Sequence, residues 1–157
     1  MNKKTLNTTK AHGAMHLVDV ENLCGTGELT VEMVAAARDR YFSTVPVSAN
    51  DQFYITASVA NMAAVSFGWP GGEKKFKGQR DGADFLIAAR ISEGKLPQHF
   101  SRVVVATGDG GLTEYADFLQ YAGVELDIVA VERTCAGSLK RLGAHMIYLA
   151  EDYDLAA

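Results

Sequence analysis

Cysteine, long apolar runs and positive charge are all scarce in this chain. Its 157 residues hold two cysteines, Cys24 and Cys135, far from each other and from any histidine at metal-ligand spacing. A disulfide framework finds no support, and two free thiols in a reducing, cytoplasmic compartment are expected. No apolar run is long enough for a membrane span, and the start lacks the apolar stretch of a secretory signal. The formal net charge of −4 argues against coating nucleic acid by bulk charge. A nucleic-acid ligand would have to meet a local basic patch. Internal repeats and low-complexity segments are also missing.

What is present suits one globular domain. Hydrophobic residues make up 48% and charged residues 22%, values that go with a real core and against disorder. A chain of this length needs no staples. The polar stretch 1–13, with Lys3, Lys4 and Lys10, reads as a mobile tail ahead of a single domain over 14–157.

Short apolar runs alternate with helical stretches. Strands are expected at Ala14–Val20, Gln52–Ala57, Arg102–Ala106, Val124–Val131 and His145–Leu149. Helices are expected at Leu29–Phe42, Ser58–Phe67, Gly82–Ser92, Leu112–Tyr121 and Ser138–Leu142. The segment Trp69–Arg80 reads as a loop or short edge hairpin. This alternation implies βαβ units: a Rossmann-like three-layer α/β sandwich, its mostly parallel sheet flanked by helices. Ligands of such sheets collect beyond the carboxyl ends of the strands, where strand order reverses.

Two carboxylates fall at that place. Asp19 ends the first strand, and Asp109 follows the Arg102–Ala106 strand in the turn Thr107-Gly108-Asp109-Gly110-Gly111. Asp84 stands in the first turn of the helix before that strand. If the two strands are neighbours, Asp19 and Asp109 come close together. Clustered acids repel unless a proton or cation compensates. Mg²⁺ or Mn²⁺ suits an all-oxygen site, where it can activate water and offset phosphoryl charge. Each acid also has a plainer reading. Asp84 could serve the helix dipole behind an Asp81 N-cap. Asp109 could be a turn former or N-cap. Asn22 could cap, or could orient Asp19 and touch a phosphate. Asp19 is the hardest to dismiss, because a carboxylate after an apolar run is costly without a partner.

At these residues the chain resembles the NYN family of PIN-like ribonuclease domains. The first motif is His16-Leu17-Val18-Asp19-Val20-Glu21-Asn22-Leu23. The second is Gly82-Ala83-Asp84-Phe85-Leu86, opening a helix. The third is Val103-Val104-Val105-Ala106-Thr107-Gly108-Asp109-Gly110-Gly111-Leu112, with Gly123 and a strand beyond. Ser138, Leu139 and Leu142 before a final strand fit the family's ending. The resemblance implies Asp19, Asp84 and Asp109 as ligands of Mg²⁺ or Mn²⁺, RNA (single-stranded or structured) as substrate, and hydrolysis of its phosphodiester bonds. One departure stands out. The family's second acid after the strand is Gly111 here, which Glu114 could partly replace, with Glu21 and Asp117 as weaker substitutes.

In that reading Asn22 and Thr107 fix the carboxylates or a phosphate oxygen. Lys74, Lys75, Lys77 and Arg80 contact the substrate, and Phe76 among them offers a stacking face. A solvated charged loop is the plainer alternative, as ordinary surface charge is for Arg133, Lys140 and Arg141. Trp69 reads as a hydrophobic plug. Three rival readings remain: a degenerate module that binds RNA or protein without cutting, a haloacid-dehalogenase-like phosphatase built on Asp19-Val20-Glu21, and, less well matched, a receiver-like domain. A homodimer is a further option.

Overall fold

The computed structural model describes residues 13–78 and 82–151. The tail over 1–12, and Arg80 and Asp81 with their expected roles, lie outside the described residues. Six strands form one sheet: β1 Met15–Asp19, β2 Gln52–Ser58, β3 Glu73–Lys77, β4 Arg102–Ala106, β5 Glu125–Ala130 and β6 His145–Tyr148. The order across the sheet is β3-β2-β1-β4-β5-β6, and every pairing is parallel. Among the described residues, seven α-helices accompany it: α1 Val20–Cys24, α2 Val31–Thr44, α3 Met62–Gly68, α4 Gly82–Ser92, α5 Leu96–His99, α6 Thr113–Tyr121 and α7 Gly137–Lys140. This is a three-layer α/β sandwich with a parallel sheet between helices.

The central strands are buried on both faces, which explains their apolar, β-branched character. Residue parity then sorts their side chains. Met15 and Leu17 join Val103, Val105, Leu126 and Ile128 under α4 and α6, against Ile87, Ile91, Ala116 and Leu119. Val18 joins Val104, Ile55 and Val129 on the other face, under α2 and α3, against Val34, Tyr41, Val65 and Trp69. Trp69 is a plug in this second layer, edge-on to Tyr41 at 5.5 Å between ring centres.

Two local signals place the helices. Thr30 caps α2 by accepting the Met33 N–H at 3.2 Å. Gly68 lets α3 close on α2: a Cβ there would stand 2.6 Å from Val34 Cβ and 2.8 Å from the Val31 carbonyl oxygen. Backbone cannot yield as a side chain can, so Gly68→Ala is expected to cost about 1–3 kcal/mol, measurable as a lower urea midpoint with unchanged slope.

The segment Trp69–Arg80 differs from its expectation. Its core is an edge strand parallel to β2, not a hairpin. A hairpin would need the chain to reverse beside β2, whereas α3 carries it back so that it enters the sheet again in the same direction. Two short helices, α1 and α5, have no counterpart in the sequence reading. Four or five residues give periodicity too little length to register.

Among the described residues, no helix is long and apolar enough to cross a membrane. Neither cysteine is in a disulfide; Cys135 is buried and Cys24 partly so.

Candidate functional site

Strand order reverses between β1 and β4, which pair directly with Val18 opposite Ala106. Asp19 is the last residue of β1 and shares the parity of Met15 and Leu17, so it lies on the α4 side of the sheet. Helix α4 begins beyond the carboxyl end of β3 and crosses back beneath β2 and β1. Its first turn therefore brings Asp84 to the same edge. Asp109 lies three residues past the end of β4. The three acids, distant in sequence, line one cleft of about 820 Å³.

Hydrogen bonds hold two of them in place. Asp19 Oδ1 accepts the Asn22 N–H at 3.0 Å and so caps α1. Asp109 Oδ1 accepts the Gly111 N–H at 2.8 Å and caps the 3₁₀ turn Gly110–Leu112. The plain capping reading of Asp109 and the site reading therefore hold together. Asn22 reaches across: its Oδ1 accepts the Gly108 N–H at 2.8 Å, tying α1 to the loop that carries Asp109. Thr107 Oγ1 accepts the Asp109 N–H at 3.2 Å. Thr107 is 0% exposed, so it positions the carboxylate and cannot touch a substrate. That corrects the expectation of a substrate contact there.

The cleft's electrostatics are one-sided. Asp19, Glu21, Glu28, Asp84 and Asp109 line it, and among the described residues no lysine, arginine or histidine does. Burial, with the nearby charges of Glu21 and Asp109, pushes Asp19 up to about 6. Burial, contact with the Asp109 carboxyl and the charge of Asp19 push Asp84 up to about 9. That same contact with Asp84 holds Asp109 below its ordinary value. The three carboxyls therefore titrate as a coupled set, in which Asp84 is the one most strongly driven toward its protonated form. Asp84 Oδ1 is buried and no donor reaches it.

Does this donor set suit a divalent cation? Its chemistry does: three carboxylates, an oxygen without a donor and two raised pKa values describe negative charge awaiting compensation. Among the described residues, no group of three or more His, Cys, Asp or Glu is arranged to hold a metal ion as it stands.

Other expected residues lie elsewhere or do different work. Glu21 is saturated: it accepts from Ser58 N–H at 2.7 Å, Ser58 Oγ at 2.9 Å and Asn61 Nδ2 at 2.7 Å. It braces the cleft wall and is not a spare ligand. Glu114 and Asp117 are exposed on α6 and do not line the cleft. Lys74, Lys75 and Lys77 lie along β3, also outside the lining. Lys74 Nζ is bound to the Gly71 carbonyl at 2.6 Å, near the opposite end of the strand. Phe76 packs on the α2–α3 core, which removes it as a stacking face. Arg133 is paired with Glu151 at 2.8 Å. Asn61 escaped the sequence reading. Besides Glu21, it holds the Gly27 carbonyl at 2.9 Å and the Leu29 N–H at 3.1 Å, pinning the loop that forms one cleft wall. The signal was an Asn between a strand and a helix, and that pattern is common.

No family model matches the chain, and no curated protein matches it. It is similar to the crystal structure of a protein of unknown function from Vibrio parahaemolyticus. Identity is 17%, the TM-score is 0.57, and the match covers 91% of this chain and 96% of that one. At that identity the likeness bears on the fold alone.

Proposed function

We propose that this protein is a divalent-metal-dependent ribonuclease of the NYN/PIN-like type, acting at Asp19, Asp84 and Asp109. One observation carries the reading. Three carboxylates converge at the switch point of a parallel sheet, in a cleft whose described lining has no basic side chain. A phosphodiester would be repelled there unless a cation offset the charge. Mg²⁺ or Mn²⁺ bound by these oxygens would supply that offset and a more acidic water. The chain's own part is positional. Asn22 and Thr107 hold the loops that present Asp19 and Asp109, and Glu21 with Asn61 keeps the opposite wall open. The resemblance in the three Asp-bearing motifs points the same way, with RNA as the substrate.

The test is labelled single-stranded RNA with Mn²⁺, wild type beside Asp19→Asn. Cleavage by the wild type that falls on the order of a hundredfold in the variant is the expected result. Equal cleavage by both would assign the activity to a contaminant and sink the proposal.

A binding module without cleavage is the second reading. Gly111 in place of an acid favours it. RNA retarded in a gel but never shortened, with Mn²⁺ present, would select it. The phosphatase reading loses its second acid, because Glu21 is occupied by three donors.

A further inference from the structure

We propose that Phe85 and Lys77 form a nucleotide-binding step at the rim of the acidic cleft: the Phe85 ring stacks an unpaired base, and the Lys77 ammonium meets an adjoining phosphate. This rests on the ribonuclease reading and deepens it by naming single-stranded RNA as the substrate.

Phe85 follows Asp84 directly in α4, yet 58% of it is exposed. A large aromatic left in water beside an acidic centre is out of place on a helix whose other outward residues, Ala89 and Ser92, are small. It does not stand alone. Lys77 Nζ lies 3.8 Å from the ring centre and covers one face. The pair is built by close packing of the backbone. A Cβ on Gly82 would stand 2.9 Å from Lys77 Cβ and 3.1 Å from the Lys77 carbonyl oxygen. Glycine at that point lets the end of β3 lie against the start of α4, which brings Lys77 to Phe85.

The position is continuous with the cleft. Lys77 pairs in register with Ser58, and Ser58, Gly78, Ala83 and Asp84 all line the cleft. A strand whose phosphate approaches the three acids can therefore place a neighbouring nucleotide over Phe85. Lys77 then supplies the positive charge that the cleft lining lacks. A base within a duplex already has both faces stacked, so the ring can take only an unpaired one. The expected stacking partner Phe76 is replaced by Phe85, nine residues further on and on a different element.

The test uses the full chain with Ca²⁺ in place of Mn²⁺, and fluorescence anisotropy with two labelled strands of equal length. One is oligoadenylate and the other is its abasic counterpart. Wild type is expected to prefer oligoadenylate. Phe85→Leu should weaken oligoadenylate binding about tenfold and leave the abasic strand unaffected, while Phe85→Tyr keeps the wild-type preference. Lys77→Met should weaken both strands and lower the salt slope by about 0.7. Far-UV circular dichroism verifies that each variant is folded. Wild-type affinity in Phe85→Leu, with cleavage in Mn²⁺ intact, would overturn this inference and leave the ribonuclease reading standing. A wild type that neither binds nor cleaves RNA would overturn both.

Discussion

Asp84→Asn is expected to melt higher than the wild type in metal-free buffer at pH 8 and, on the proposed ribonuclease reading, to lose RNA cleavage. The stability half follows from linkage. Asp84 keeps its proton in the folded protein up to about 9, whereas in the unfolded chain it releases it near the ordinary carboxyl value. Between those limits the folded state binds more protons, so stability falls as pH rises. Above about 9 the folded protein carries the full cost of an ionised Asp84 beside Asp19 and Asp109. Asparagine cannot ionise, so its advantage grows from pH 5 to pH 9. A gain of about 1 kcal/mol at pH 8 would appear as about 2–4 °C in Tm for a chain of this size. The activity half rests on the proposed reading: if Asp84 helps to hold the cation at the reacting phosphate, cleavage should fall on the order of a hundredfold when it is neutralised. Melting curves over that pH range, with and without Mn²⁺, measure the first. A labelled RNA assay measures the second. A variant less stable than wild type at pH 8 would mean that Asp84 is held as a structural anion. Mn²⁺ should raise the wild-type Tm more at pH 8 than at pH 5, because at low pH it competes with the proton.

The second large effect lies at the opposite edge of the sheet. His16 is wholly buried and stacked on Phe53, with 4.3 Å between ring centres. Its Nε2 is 2.8 Å from Asp51 Oδ2 and its Nδ1 is 2.6 Å from the Tyr41 hydroxyl. Burial lowers the His16 pKa, so the neutral ring donates to Asp51 and accepts from Tyr41. Arg102 sits between two buried acids. Its Nε donates to Asp127 Oδ2 at 2.9 Å, while Nη2 lies 2.8 Å from the same oxygen but off the hydrogen-bond direction. Nη1 donates to the Pro46 carbonyl at 3.0 Å and approaches Asp51 at 4.0 Å. Asp127 also receives His145 at 3.2 Å. Arg102→Met keeps the aliphatic stem but leaves Asp51 and Asp127 without their cation. A loss of about 3 kcal/mol is expected, read from urea unfolding at pH 7. A loss under about 0.5 kcal/mol would show that water or His145 compensates the acids instead.

This edge has the opposite pH sign. Burial alone would raise Asp51, but His16 and the N–H groups of Ala14 and Ser48 outweigh it and hold Asp51 below its ordinary value. Its contribution is complete above the unfolded carboxyl pKa and is lost as pH falls through the lower folded value. His16, kept neutral, adds a second loss below its unfolded pKa near 6.5, where the unfolded ring gains a proton that the folded ring resists. The metal-free protein is therefore weakened by acid through one edge of its sheet and by alkali through the other.

Most of the layered fold is legible in the sequence. The β-branched run Arg102–Ala106 and the amphipathic stretch Gly82–Ser92 are elements with those same limits. Both are long enough, and patterned enough, for local propensity and burial to agree. The strand at Glu73–Lys77 was not legible as such, because a lysine-rich edge segment without clean alternation looks like a solvated loop. The buried network around His16 was equally hidden. A single histidine in an apolar run gives no hint of Asp51, Arg102 and Asp127 gathering around it.

The longer strands and helices are set by the sequence alone, as is the standing of three acids at strand and helix ends; β3, α1 and α5 are not. Alternation of apolar and polar residues is a local property, and local physics reads it directly. Which acids meet was decided only in three dimensions. The order β3-β2-β1-β4-β5-β6 sets β1 beside β4 and sends α4 back across β1, so Asp19, Asp84 and Asp109 converge while Glu21, on the wall of the same cleft, is held by Ser58 and Asn61. Strand order, and with it the electrostatic coupling of the three carboxyls, depends on packing between segments dozens of residues apart, which no window of sequence contains.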